Sequence, residues 1–295
     1  MPQPITSHWL TDAERMVAMR RFTQVDVFTE EFMLGNPVAV VHDADDLSAT
    51  RMASFARWTN LVETTFLLLA IAAEADYRLR IFTPTDELPF AGHPTLGTAR
   101  AWLEAGGVPK TPGLIVQECA AGLVRIRREG TRLAFAAPPI VRGGLVSRAD
   151  QDEIARALRI APEVIVDAQW VDNGPGWVGV LLASAGEVLD LHPDRDAFGR
   201  FTSVGVTGPY PPGSETAFEV RAFIPEIGLG EDPVTGSLNA SLAQWLIGTN
   251  RAPRSYVAAQ GSRLGRRGRI FVDKVGDDIW VGGDTVVGVA GDVAL

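Results

Sequence analysis

The sequence predicts an α+β fold of two pseudo-symmetric lobes, and three observations carry that prediction. Short stretches that alternate polar and apolar residues recur along most of the chain, the pattern of half-buried strands. Stretches with apolar residues at helical spacing are few and stand between them. One long motif occurs twice. The first copy is Arg80-Ile81-Phe82-Thr83-Pro84, a loop, His93-Pro94-Thr95-Leu96-Gly97-Thr98 and a helix. The second is Arg221-Ala222-Phe223-Ile224-Pro225, a loop, Asp232-Pro233-Val234-Thr235-Gly236-Ser237 and a helix. Both reduce to Arg-x-Phe-x-Pro, a loop, His or Asp, Pro-x-x-Gly, then Thr or Ser. A repeat of that length implies two units of one topology.

Taken in order, residues 1–18 mix Pro, His, Trp and charges without a strong period and read as an extension, with Met19 a possible start. Residues 20–28 alternate as a strand, and the turn Gly35-Asn36-Pro37 leads to a more buried strand at 38–41. A helix follows over 47–59, with Ser48 as N-cap and Met52, Phe55, Ala56 and Trp58 on its apolar period. Residues 63–70 run into a strand and 77–82 alternate cleanly as another. A Pro-rich loop, 83–92, delivers His93 to Thr98 to a helix at 99–103 that Gly106-Gly107 ends. Strands at 114–118, 122–128 and 132–136 complete the first half, and Pro138-Pro139 with Gly143-Gly144 mark the boundary. The second half reads as a helix at 149–158, strands at 164–171 and 177–182 around the turn Asp172-Asn173-Gly174-Pro175-Gly176, and a connection at 187–191. Strands at 201–206 and 217–223 precede the second motif, and three short strands at 269–272, 278–281 and 285–289 close the chain.

Composition narrows the function. The chain has 295 residues, 46% hydrophobic and 21% charged, enough for a sizeable core and two domains. A net charge of −9 argues against a nucleic-acid partner, because that affinity comes from Lys and Arg neutralising phosphates. The Gly-interleaved cluster from Arg263 to Arg269 reads as a solvated turn. The single cysteine, Cys119, excludes an intrachain disulfide and a cysteine zinc cluster, and fits a reducing, cytoplasmic compartment. No stretch of about 18 apolar residues and no secretory layout is present, so a soluble protein with no membrane partner is expected. There is no dinucleotide fingerprint and no metal motif; the expectation is no cofactor and no metal.

The chemistry sits at the two motifs. A Gly-Ser or Gly-Thr pair before an apolar helical run places polar groups at a helix N-terminus, where free backbone N–H groups and the helix dipole bind anions. Two such termini facing one cleft suit a small carboxylate substrate. His93 in one half and Asp232 in the other read either as two proton-handling groups of an acid–base site or as turn and capping residues. Glu63 borders the apolar run 66–70, which can desolvate it and raise its pKa toward the working pH; taken alone it reads as a strand-edge surface glutamate.

At these residues the chain resembles the phenazine-biosynthesis PhzF-like isomerase family, which shares the diaminopimelate epimerase-like fold. The resemblance runs from about residue 20 to residue 289. It rests on Val25-Asp26-Val27-Phe28-Thr29, Gly35-Asn36-Pro37, Glu63-Thr64-Thr65-Phe66, Glu87 to Thr98, Glu231 to Ser237, and Gln260-Gly261 with Leu264-Gly265-Arg266. It implies two lobes, each a curved, mostly antiparallel sheet wrapped around a central helix, with the active site in the cleft between them. The N-terminal lobe would be 20–140 plus 284–295 and the C-terminal lobe 141–283, with 1–19 as extension. It further implies a homodimer and a cofactor-independent isomerase moving a proton on a small carboxylate-bearing metabolite. In that reading Glu63, Asp232 and His93 are catalytic, and Ser237, Gly236, Gly92, Gly97, Thr98 and Asn36 bind substrate. Epimerases of this fold resemble one another in using two cysteines, and this chain has one, so a two-thiol racemisation is excluded. A two-base racemase without cysteines and a non-catalytic ligand- or partner-binding homologue remain the alternatives.

Overall fold

The structure, a computed structural model, describes residues 18–225 and 230–295. Nearly all of the expected extension lies outside them. Its last two residues belong to the fold, since Ala18 exchanges both backbone hydrogen bonds with Leu295 and Met19 opens the first strand.

In the first half β1 (Met19–Val27), β2 (Asn36–Val41), α1 (Ala49–Thr59), β3 (Thr64–Leu68), β4 (Tyr77–Phe82) and the two-residue β5 (Glu87–Leu88) lead to α2 (Gly92–Glu104). β6 (Leu114–Cys119), β7 (Gly122–Glu129) and β8 (Arg132–Ala136) follow it. The second half starts with β9 (Arg142–Leu145) and α3 (Arg148–Leu158), then β10 (Asp167–Asp172), β11 (Trp177–Leu181), the short α4 (Ala185–Leu189), β12 (Ser203–Pro209) and β13 (Phe218–Phe223). β14 (Glu231–Asp232) precedes α5 (Gly236–Gly248), and β15 (Ser255–Gln260), β16 (Gly268–Val275), β17 (Asp278–Gly283) and β18 (Thr285–Ala294) end the chain.

The two halves pair their strands identically. β1–β2 and β10–β11 are antiparallel, β2–β3 and β11–β12 parallel, β3–β4 and β12–β13 antiparallel, and β4–β6 and β13–β15 parallel. Each half is closed by a strand added beside its first: β18 runs antiparallel to β1 and β9 antiparallel to β10. β8 pairs with β17 and joins the halves into one sheet. The architecture is the two-lobed α+β fold expected, and β18 is the long last strand that lies on the first half.

Each half wraps its sheet around one helix, α2 or α5. Both are apolar on most of their circumference, as a helix enclosed by a sheet must be. Leu96, Ala99, Leu238, Leu242 and Ala243 are buried in one core with Val25, Ile81, Phe135, Val220 and Ile270. Burying each of the three leucines stabilises the fold by about 2 kcal/mol. The helices meet N-terminus to N-terminus, where a Cβ on Gly92 would lie 2.9 Å from Gly236 Cα. Only glycines permit that approach.

Elsewhere the elements follow local chemistry. Ser48 caps α1 by accepting from Arg51 N, and Asn60 in the left-handed region ends it. Trp58, expected on the apolar face, is 79% exposed and stacks on Phe55 from outside. The Arg263–Arg269 segment is more than a solvated turn: Arg266 Nη1 donates to Met33 O at 2.7 Å and Arg269 Nε to Glu215 at 3.1 Å.

Candidate active site

The strand register corrects the repeat. Thr64 pairs with Phe82 and Val204 with Phe223, so Glu63 and Ser203 hold equivalent places. Phe82 also pairs with Glu87, and Phe223 with Glu231. The copies therefore align as Glu87-Leu88-Pro89-Phe90-Ala91-Gly92-His93 on Glu231-Asp232-Pro233-Val234-Thr235-Gly236-Ser237. His93 is the counterpart of Ser237, and Asp232 that of Leu88; His93 and Asp232 are not equivalent, contrary to the expectation. The helices themselves start at Gly92 and Gly236, so the segment from His93 to Thr98 is the first part of a helix and not a loop before it. Pro94 fits there because the first N–H groups of a helix have no intrahelical partner.

The structure brings Glu63, His93, Asn36 and Asp232 together where α2 and α5 meet. Asn36, the first residue of β2, is fully buried. Its Nδ2 donates to Asp232 Oδ1 and to Val234 O, both at 2.9 Å, and lies 3.3 Å from His93 Nδ1. One amide thus ties the first half to the second. Asp232 Oδ2 accepts from Thr235 Oγ1 at 2.5 Å. Gln260 Nε2 donates to Thr235 Oγ1 at 2.9 Å and to Asp232 O at 3.1 Å, while its Oε1 accepts from Thr235 N and from Asn239 Nδ2. His93 Nε2 faces Glu63 Oε2 at 3.3 Å across a site where the two side chains are only 4% and 12% exposed. Four atoms here are buried without a hydrogen-bond partner: Asn36 Oδ1, Glu63 Oε2, His93 Nε2 and Asn173 Oδ1.

Burial decides the charges. It pushes the Glu63 carboxyl well above its ordinary range, and the negative charge of Asp232 pushes it further. It raises Asp232 to about 6, against the hydrogen bonds from Thr235 and Asn36, which favour the carboxylate, and with the neighbouring Glu231 charge. His93 is lowered to about 3, again by burial, which outweighs a hydrogen bond to the Pro37 carbonyl. Of two coupled carboxyls the one with the better hydrogen bonds ionises first. Burial thus favours the protonated form of Glu63 and the neutral imidazole of His93, while the hydrogen bonds from Thr235 and Asn36 favour the carboxylate of Asp232. Asp232 and Val234 take both hydrogens of the Asn36 amide, which leaves His93 with Nε2 turned to Glu63.

The remaining expected residues divide. Gly92 and Gly236 lie at the helix contact, and no side chain caps either helix. Ser237 Oγ accepts from Trp177 Nε1 at 3.1 Å, and Ser237 O from Asn173 Nδ2 at 2.9 Å. Gly97 and Thr98 are elsewhere. A Cβ at 97 would lie 2.2 Å from Val38 Cγ1, and Thr98 Oγ1 donates to Thr65 Oγ1 at 2.9 Å. Both pack between α2 and the sheet. Residues the sequence reading left without a role are Thr235, Asn239 and Gln260, which hold Asp232, and Asn173 and Trp177, which hold Ser237. Gln260 and the turn at 172–176 were visible as motifs, but neither pattern announces its partner. Cys119 is buried in β6 with its thiol directed at Gly122 O, and burial pushes its pKa up.

The halves differ in what they place at equivalent points. Ser203, in the place of Glu63, donates to Pro175 O at 2.9 Å, and Leu88 stands in the place of Asp232. Acid–base groups gather in one network instead of facing each other in matched pairs.

Comparison with known proteins shows the family and the fold. Residues 25–291 match the family model described as phenazine biosynthesis-like protein. The chain is 36% identical over 279 residues to "Antisense-enhancing sequence 1" of Schizosaccharomyces pombe, covering 88% of this chain and 90% of the relative. It is 36% identical over 259 residues to the trans-2,3-dihydro-3-hydroxyanthranilate isomerase of Pseudomonas aeruginosa, covering 86% of this chain and 90% of the relative. The crystal structure of a phenazine biosynthesis PhzF-family protein from Enterococcus faecalis superposes with a TM-score of 0.78 at 25% identity, over 94% of this chain and 100% of that one. Among the described residues no helix is long and apolar enough to cross a membrane.

Proposed function

The chain belongs to the phenazine biosynthesis-like family and is an isomerase of the PhzF type, and from that premise we propose that it moves a proton on a small carboxylate-bearing metabolite, with Glu63 as the group that carries it. The observation that bears the reading is the buried Glu63 carboxyl, its protonated form favoured by burial and by the Asp232 charge, 3.3 Å from the equally buried His93 imidazole. A buried carboxyl whose protonated form is favoured is poised to give its proton to a substrate carbon, and the polar groups beside it can steady the carboxylate that results.

The step balances without a cofactor. Glu63 delivers its proton to one carbon of an unsaturated substrate, a proton leaves a second carbon for the resulting carboxylate, and the double bond shifts between them. His93 and Asp232 supply the polar surroundings that steady charge as it develops. The substrate carboxylate is held by the uncapped termini of α2 and α5, near Gly92, Gly236 and Ser237. Ser203 in the place of Glu63 removes a symmetry-matched second base, so a two-base racemase would have to set Asp232 or His93 against Glu63. The intact set of Glu63, His93, Asn36, Asp232 and Ser237 weighs against a pure binding protein.

Turnover of trans-2,3-dihydro-3-hydroxyanthranilate, the compound named for the Pseudomonas relatives, by the protein and by its Glu63→Gln variant tests the proposal. General acid–base catalysis contributes about 10²–10⁴-fold, and a loss of that size is expected. Unchanged turnover in the variant would remove Glu63 from the mechanism. If that compound is not turned over, a thermal-shift screen of small amino, hydroxy and aromatic acids identifies the class, since a ligand at 100 times its Kd adds about 2.7 kcal/mol.

A further inference from the structure

Equivalent loops enter the two halves differently. By strand register Asp26 and Asp172 are counterparts, and each carboxylate accepts from a glycine N–H of the loop that follows: Gly35 N at 3.1 Å and Gly174 N at 2.7 Å. In the second half only Asn173 separates the pair. In the first half residues 27–34 do, and they reach across to the other lobe.

That excursion is docked at three points. Arg269 N donates to Phe28 O at 2.9 Å and Arg267 N to Leu34 O at 2.7 Å. Arg266 Nη1 donates to Met33 O at 2.7 Å, and its charge also acts on the buried Asp26 carboxylate. Two residues of the excursion, Phe28 and Met33, have φ of 66° and 72°, a region non-glycine residues occupy only when their surroundings impose it. Gly35 ends the excursion with no room for a side chain, because a Cβ would sit 2.2 Å from Val27 O. The next residue is Asn36, whose amide holds Asp232.

The receiving segment is tied to Asp232 as well. Gln260 Nε2 donates to Asp232 O, and a Cβ on Gly261 would lie 2.7 Å from both Pro233 O and Arg266 Cβ. The contacts close a ring that runs from Asp232 through Gln260 and Gly261 to Arg266, Met33, Gly35, Asn36 and back to Asp232. We propose that residues 28–35 and 260–267 form a latch between the lobes, and that Arg266 is a positioning residue that holds the Asn36 amide against Asp232. The role in turnover rests on the function proposed above; the latch itself does not.

Amide hydrogen exchange of the full chain, with Arg266→Ala and Arg266→Lys, tests the latch without substrate. Losing a hydrogen bond from a charged donor is expected to speed exchange about tenfold in 33–37 and also in 231–236 across the cleft, with the lysine variant in between. Faster exchange confined to 29–34, with 231–236 unchanged, would make Arg266 a local brace and overturn the proposal. In parallel, turnover of trans-2,3-dihydro-3-hydroxyanthranilate by Arg266→Ala should show kcat down about tenfold with KM within about threefold. Full kcat in a variant whose exchange has changed would refute the positioning role. Were the wild-type protein inactive on that compound, the substrate would be another and the latch would stand or fall on exchange alone.

Discussion

Replacing Asp232 by asparagine should make the protein more stable at neutral pH while damaging its chemistry. Burial raises the Asp232 carboxyl from its ordinary 3.8 to about 6. Between those values the folded state binds more protons at this site than the unfolded chain does. Its contribution to stability is therefore full below pH 3.8 and is lost as pH rises through 6. A shift of about two pKa units corresponds to roughly 3 kcal/mol lost above pH 6 relative to acid. Asparagine keeps the shape and an oxygen for the Asn36 amide, and presents its NH₂ to Thr235 Oγ1. The hydrogen bonds that favour the carboxylate, from Thr235 and Asn36, are already contained in the net shift, so roughly 3 kcal/mol is an upper bound for the gain. Urea unfolding followed by tryptophan fluorescence at pH 5 and pH 8, for wild type and Asp232→Asn, measures it. Expected is a variant 1–3 kcal/mol more stable at pH 8, on the order set by that shift, with the gain shrinking toward pH 5. A variant no more stable at pH 8, or one with the wild-type slope over this interval, would refute the reasoning.

Three further outcomes follow from particular contacts. The equivalent ion pairs Arg221–Glu231 and Arg80–Glu87 differ in burial, 6% and 10% exposed against 27% and 38%; Glu231→Gln should cost about 3–5 kcal/mol and Glu87→Gln under about 1 kcal/mol in urea unfolding. Gly97→Ala should cost about 1–3 kcal/mol because its methyl would meet Val38 and Val27. Gly248→Ala, at a position with nothing within 4 Å, should instead be neutral or add up to about 1 kcal/mol, measured by the shift in Tm.

Much of the fold is legible in the sequence, because strands that bury one face must alternate. Tyr77–Phe82 and Arg132–Ala136 have the bounds their alternation predicts. β15, Ser255–Gln260, is missed because Ser-Tyr-Val-Ala-Ala-Gln carries little contrast between its faces. The start of α2 is misread for a different reason. Gly92, Pro94 and Gly97 carry loop chemistry locally, yet Gly92 is set by the approach of α5 and Gly97 by Val38, contacts that only the tertiary structure creates. The same misreading shifts the repeat: aligning on Pro-x-x-Gly matches His93 with Asp232, whereas Glu-x-Pro-x-x-Gly, equally present in both copies, gives the register that the strands adopt. The gathering of Glu63, His93, Asn36 and Asp232 depends on two helix termini meeting, which no local pattern encodes.

On the proposed mechanism proton transfer is one-sided, through Glu63, with Ser203 and not a second carboxyl at the matching place in the other lobe. Turnover in D₂O with the product read by NMR tests it most directly. Expected is deuterium, or an internally returned proton, on a single face of the newly protonated carbon, and the loss of both turnover and label in Glu63→Gln. Deuterium delivered to the opposite face, or a stereocentre inverted with label surviving in Glu63→Gln, would place a second base across the cleft and contradict it.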